Sequence, residues 1–267
     1  MPIFKGREVD LYYEVKGEGK PLVFTHGASW NHEQWRQQVD YFSLQYQTVV
    51  WDVRGHGSSS LPDGKVDSED FSRDLADLLS DLNIEKAILC GLSLGGHISL
   101  QTAVRHPGKV AALILIGTPF TNAFNWYERM FVPLNRWSSY LMPMCLSGKM
   151  QGKMLSKYNK GNQAYIEKAF RSIPHSNWVR IWDAVTRMDS TQDLHKIHCP
   201  TLLLQGESDT MIRRQQEYMQ ERIANSRLKI IRNAHHATNL DNPDEVNEAI
   251  ASFLTENALQ AYTRRGL

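Results

Sequence analysis

Apolar residues gather in short unbroken runs at 22–25, 48–51, 86–90, 110–116, 201–204 and 228–231. That length suits strands covered on both faces, as in a parallel sheet. Segment 9–15 instead alternates, with Val9, Leu11, Tyr13 and Val15 on one side, and reads as a half-buried strand. Between the runs the period changes. Segment 68–82 carries Phe71, Leu75, Leu78, Leu79 and Leu82 at helical spacing, residues 94–105 continue in the same way, and 244–254 places Val246, Ile250, Phe253 and Leu254 on one side. Alternating strands and helices predict a doubly wound, mostly parallel α/β sheet, with ligands beyond the carboxyl ends of the strands.

The interval 121–198 breaks this alternation and is too long for a plain connection. Helices are expected at 122–136, 162–173 and 176–189, forming a helical cap inserted into a core made of 1–120 and 199–267. Trp126, Trp137, Trp178 and Trp182, with Met130, Met142, Met144, Met150, Met154 and Met188, supply it with large apolar side chains. The four tryptophans are candidate substrate-binding residues over the carboxyl ends of the strands, although for any single one of these side chains packing of cap on core is the plainer reading.

The chemistry concentrates at one junction. Gly91-Leu92-Ser93-Leu94-Gly95 follows the run ending at Cys90 and opens the helical segment, which is a G-x-S-x-G nucleophile elbow in strand-turn-helix context. Small residues flank Ser93 because the turn is so tight that a neighbouring Cβ collides. Two further groups follow in the order such a site requires. Asp209 stands just past the run 201–204, with Glu207 as the alternative acid if Asp209 faces away. The adjacent pair His235-His236 comes after the run 228–231, and one of the two is the candidate base.

The chain resembles the α/β-hydrolase superfamily, in the group that contains 3-oxoadipate enol-lactonases, small carboxylesterases and cofactor-free haloperoxidases. Besides the elbow, the resemblance rests on His26-Gly27 after run 22–25 and on Asp52-Val53-Arg54-Gly55-His56-Gly57-Ser58-Ser59 after run 48–51. It covers almost the whole chain and implies an eight-stranded sheet with an inserted cap. The family's late pattern G-H-x-x-x-L-[ED]-x-P falls on Leu240, Asp241 and Pro243, which implies His236 as the catalytic histidine and puts His235 where glycine is usual. Ser93, Asp209 and His236 are then the expected triad, and the backbone N–H groups of Leu94 and Ala28 the expected oxyanion donors. His26, His56 and Asp52 are expected to brace the loops around the site.

Hydrolysis of a small carboxylic ester or lactone through an acyl-enzyme is the expected function, with no cofactor and no metal. Serine at the elbow argues against haloalkane dehalogenases and epoxide hydrolases, whose members carry aspartate there. His26-Gly27-Ala28-Ser29-Trp30 also departs from the His-Gly-Gly-Gly loop of one lipase group. Cofactor-free perhydrolysis by the same triad, and a ligand-binding signalling protein on the same fold, are the alternatives.

Composition narrows the partners. The 267 residues carry a formal net charge of +1, so no global basic field points to nucleic acid. No apolar stretch reaches the roughly 20 residues of a transmembrane helix, and residues 1–7 lack a signal-peptide core. A soluble cytoplasmic protein is expected, with Cys90, Cys145 and Cys199 reduced. Charge is uneven locally: 121–198 holds eleven Lys or Arg against five Asp or Glu. That excess is ordinarily a solvated face, and alternatively attracts a carboxylate-bearing substrate or an anionic surface.

Overall fold

The computed structural model describes residues 2–6 and 8–259. The expected core segments run past these limits, so Met1, Arg7 and 260–267 lie outside the described residues. Eight strands form one sheet: β1 (Ile3–Lys5), β2 (Asp10–Lys16), β3 (Pro21–Thr25), β4 (Gln47–Trp51), β5 (Ala87–Leu92), β6 (Val110–Ile116), β7 (Thr201–Gly206) and β8 (Ser226–Ile231). Their spatial order is β1-β2-β4-β3-β5-β6-β7-β8. β1 pairs with β2 and β2 with β4 antiparallel, and every other pairing is parallel. This is the α/β-hydrolase fold, with helices inserted as a cap.

Successive side chains of the parallel strands point to opposite faces, so each strand contributes to two cores. Val23, Leu89, Leu113, Leu115 and Leu203 pack on one face with α2 (Asp70–Asp81) and α3 (Leu94–Arg105). Leu22, Phe24, Ile88, Ile114, Leu202 and Leu204 pack on the other with α1 (Arg36–Phe42) and α10 (Pro243–Glu256).

The cap lies between β6 and β7 and contains α4 (Trp126–Ser138), α5 (Met144–Met154), α6 (Gly161–Arg171) and α7 (His175–Val185). An antiparallel bridge between Thr121 and Asp189 pinches the insertion at its base. The Ser190 N–H adds a 2.8 Å bond to the Phe120 carbonyl.

Where elements differ from expectation, a local cause is visible. Helix α4 starts four residues later than 122 because Asn125 caps it, with the Glu128 carboxylate returning to the Asn125 N–H. Helix α5 was absent from the periodicity because Gly148 and Gly152 weaken it; those same residues let α6 approach, and a Cβ on Gly148 would crowd Phe170. Helix α8 (Arg213–Arg222), between β7 and β8, has Met219 as its buried apolar residue, the other buried positions being Gln215 and Gln216. The short α9 (Thr238–Asp241) precedes α10.

Backbone packs closely where α3 begins, against β5 and β3. A Cβ on Gly91 would overlap the backbone of Gly95, and a Cβ on Gly95 would overlap the Thr25 carbonyl of β3. Because the obstruction is backbone, no rotamer relieves it. Gly95→Ala is expected to cost about 3 kcal/mol or more, a fall in Tm of roughly 6 °C or more. Gly108→Ala, where no atom lies within 4 Å of the added carbon, is the control in thermal denaturation and should leave Tm near that of the parent.

Candidate active site

Ser93 occupies the junction between β5 and α3 with φ 54° and ψ −115°. A serine does not adopt this left-handed conformation without compensation. Its N–H donates to the Ile116 carbonyl at 2.9 Å and its carbonyl accepts from His97 N–H at 3.0 Å, so the residue is clamped from β6 and from α3. The side chain faces a cavity of about 670 Å³ between sheet and cap, which Ser93, Leu94, Ala28 and His236 also line.

Asp209 follows β7 in a tight turn, its N–H bonded to the Gly206 carbonyl at 2.9 Å, and it is fully buried. Its Oδ2 lies 2.7 Å from Nδ1 of His236. Burial alone would raise the carboxyl pKa, but the hydrogen bond and charge of His236 outweigh it, and the group is held below the ordinary carboxylate range. An ionised Asp209 can only accept, so Nδ1 of His236 carries the proton, and in the neutral ring Nε2 is left as the acceptor. Glu207, the alternative acid, turns away and accepts from the Asn233 N–H at 3.2 Å.

His235 has a different task. Its Nδ1 accepts the His236 backbone N–H at 2.8 Å, and its own N–H donates to Asp241 at 2.8 Å. Burial first, then the neighbouring His236 and Lys157, lower its pKa and favour the neutral ring that this bond requires. Asp241 also accepts from Asn162 Nδ2 of α6 at 2.8 Å, and burial raises its pKa to about 6. The loop bearing His236 is thereby tied to the cap.

The facing loop is held with equal care. The Gly27 N–H donates to Gln34 Oε1 at 2.9 Å, Ser29 N–H to His56 Nε2 at 3.1 Å, and Trp30 N–H to the Gly27 carbonyl at 3.2 Å. Among the described residues the Ala28 N–H, at the cavity wall, has no acceptor. Leu94 likewise contributes a first-turn helix N–H with no carbonyl one turn back.

His26 and His56 are the braces of this loop. Val53 N–H donates to His26 Nε2 at 2.9 Å, and the His26 Nδ1–H donates to the Gly27 carbonyl at 2.8 Å. Asp52 accepts from the His32 and Ser58 N–H groups at 2.7 and 2.8 Å. Arg54 anchors the same segment on α2 through Asp70 and both oxygens of Asp74, each at 2.7 Å.

A buried amide network was not legible in the chain. Gln34 Nε2 donates to Asn239 Oδ1 at 3.1 Å, Asn239 Nδ2 to Gln38 Oε1 at 3.0 Å, and Gln38 Nε2 to Asn247 Oδ1 at 3.1 Å. It joins the Ala28 loop to α9, just past His236. The signal was available as amides on otherwise apolar faces, but nothing local distinguishes such amides from surface ones.

Of the four candidate tryptophans, Trp178 and Trp182 line the cavity as a stacked pair, with centroids 5.0 Å apart. Trp126 and Trp137 do not reach it; they sit on the outer surface of α4, 74% and 57% exposed. Met142 and Met154 line the cavity, whereas Met144 and Met188 are buried in the cores and Met130 and Met150 point outward. Tyr127, Phe131 and Met211 are lining residues the periodicity did not single out. No Lys or Arg lines the cavity among the described residues. Its carboxylate, Glu128, is engaged by the Phe124 and Asn125 N–H groups at 2.7 and 3.0 Å. The basic excess of 121–198 therefore lies elsewhere on the cap.

The fold and the elbow make this protein an α/β-hydrolase. A family model described as serine aminopeptidase, S33, matches residues 19–243, and the chain belongs to that family. It is 26% identical to a putative non-heme chloroperoxidase of Synechocystis, over 92% of this chain and 95% of that one. It is 25% identical to 3-oxoadipate enol-lactonase 2 of Acinetobacter baylyi, over 95% and 98%. Among solved structures, a thermophilic esterase from Thermogutta terrifontis superposes with a TM-score of 0.83 at 25% identity, covering 93% of this chain and 94% of the esterase. No helix among the described residues is long and apolar enough to cross a membrane.

Burial lowers the pKa of His26 and of His97 to about 3 in the folded protein. The unfolded chain binds these protons below about pH 6.5 and the folded protein does not until near pH 3. Their contribution is thus complete above pH 6.5 and lost as pH falls. Each histidine is expected to remove about 2 kcal/mol of stability between pH 6.5 and 5. Urea midpoints across that range should fall, and His97→Gln should flatten the slope by one proton; an unchanged slope contradicts the assignment.

Proposed function

We propose that Ser93, His236 and Asp209 act as a catalytic triad that hydrolyses small uncharged carboxylic esters, and simple lactones, through an acyl-enzyme. The observation that carries this reading is the 2.7 Å bond from His236 to the buried Asp209, with His236 and Ser93 facing one cavity. His236 Nε2 takes the Ser93 Oγ proton as Oγ bonds to the acyl carbon, and the carbonyl oxygen becomes an anion accepted by the Leu94 and Ala28 N–H groups. The intermediate collapses as the C–O bond to the alcohol breaks and His236 returns the proton to the leaving oxygen. A water, deprotonated by His236, then attacks the acyl carbon, and Ser93 leaves with its proton restored. The helices of 121–198 serve as the cap domain that shapes the acyl site.

Substrate class follows from the lining. A substrate carboxylate would enter a cavity with no Lys or Arg among its described lining residues and with Glu128 on its wall, at a desolvation cost that no such side chain offsets. Neutral acyl groups packing on Trp178, Trp182 and Phe131 are favoured, and carboxylate-bearing lactones disfavoured. The peroxidase relative supports a second outcome of the same intermediate, attack by peroxide in place of water.

Single-turnover assays on a p-nitrophenyl ester series and simple lactones test this. The parent is expected to show a burst, and Ser93→Ala to lose it, with turnover falling by about 10⁴- to 10⁶-fold. His236→Ala should behave like Ser93→Ala, whereas His235→Ala should retain far more turnover. Activity that survives Ser93→Ala, or that is lost equally from both histidine variants, counts against the assignment.

A further inference from the structure

The outer surface of the cap carries a face that the cavity does not use. Helix α4 is 13 residues long and buries none of them, whereas a helix in a folded protein ordinarily buries one apolar stripe. Tyr127, Phe131 and Val132 face the cavity. Trp126, Met130, Leu134 and Trp137 form another stripe, at spacings of three and four residues, each 53–74% exposed. Leu141, 65% exposed, extends it toward α5.

Helix α5 repeats the pattern. Leu146, Met150 and Met154 are exposed at intervals of four. Beside them, Lys149 and Lys153 on the helix and Lys157 just past its end recur at the same interval, all exposed. From Met130 to Ile166 the chain holds five Lys or Arg and no Asp or Glu. Among the described residues no ion pair joins Lys149 or Lys153.

Exposed apolar stripes on two successive helices mark a contact surface. A second copy docked on a two-fold axis would set these cations against one another, because such an interface uses the same patch twice. Apolar stripes edged by lysines instead match helices that lie at the surface of an anionic lipid layer. We propose that the α4–α5 face seats the cap on an anionic lipid bilayer and that neutral, lipid-like esters enter the cavity from it. The second half of this rests on the hydrolase reading; the seating does not. Tyr127, Phe131, Met154 and Met211 are each more than 40% exposed and also line the cavity. They give an acyl chain an apolar route from the outer face toward Ser93.

The test is flotation of the full chain with vesicles of phosphatidylcholine alone or mixed with phosphatidylglycerol. The parent is expected to float with the anionic vesicles only. Lys149→Glu with Lys153→Glu should reduce partitioning by about fivefold or more per lysine, and Met130→Ser with Leu134→Ser should also reduce it. Both double variants should hydrolyse a short-chain, water-soluble p-nitrophenyl ester at the parent rate, which shows that they are folded. Ser93→Ala should float like the parent, so loss of the hydrolase reading leaves flotation standing. Full turnover without flotation overturns the proposal, as does flotation indifferent to both double variants. A concentration-dependent dimer in light scattering, abolished by Met130→Ser with Leu134→Ser and accompanied by no flotation, assigns the face to a second copy instead.

Discussion

Helix α3 begins so close to β3 and β5 that neither Gly91 nor Gly95 has room for a Cβ, and the arrangement of the site depends on this approach. It forces Ser93 into a left-handed conformation and lifts its side chain off the end of β5 into the cavity. It also places the first turn of α3, with the Leu94 N–H, beside the Ala28 loop. The strain is of order 1–3 kcal/mol, and it persists because the sheet on one side and α3 on the other leave no alternative path for the chain.

Around that junction, polar groups hold the loops. Asp209 is fully buried and is kept ionised by His236. His235 fixes the His236 backbone, and Asp241 carries the same loop to α6. On the other wall, Gln34 and His56 occupy the N–H groups on either side of Ala28, His26 holds the Gly27 carbonyl, and the Ala28 N–H is left at the cavity wall. Buried amides running from Gln34 to Asn247 connect the two walls. Each member has a partner, so the network adds rigidity where orphaned amides would cost about 1–3 kcal/mol apiece. Trp30 Nε1 donates to Gln151 of α5 at 3.0 Å, and Tyr165 of α6 donates to the Asn31 carbonyl at 3.1 Å. Cap and core are thus hydrogen-bonded on the side of the Ala28 loop.

The strands and the elbow were legible because their signals are local. Runs such as 110–116 and 201–204 are long enough to read alone, and Gly91 and Gly95 record a steric constraint within five residues. The order Ser93, Asp209, His236 is an expectation drawn from resemblance, whereas the 2.7 Å contact that Asp209 makes with His236 and not with His235 needed the structure. Helix α8 was hidden because its buried face is Gln215, Gln216 and Met219. Gln215 accepts from the Phe120 N–H at 3.1 Å and Gln216 donates to the Thr118 carbonyl at 3.0 Å, so tertiary hydrogen bonds replace the apolar stripe. The cap misled in a different way. Its tryptophans divide between cavity wall and outer surface, and the rotations of two helices decide which: α7 turns Trp178 and Trp182 inward, while α4 turns Trp126 and Trp137 outward.

A fluorophosphonate probe tests the central claim most directly, since it bonds covalently to a serine only when a base and oxyanion donors are in place. Peptide mapping after labelling is expected to put the phosphonyl adduct on Ser93, with labelling abolished in His236→Ala and retained in His235→Ala. No adduct on folded protein, or an adduct on another residue, would contradict the account.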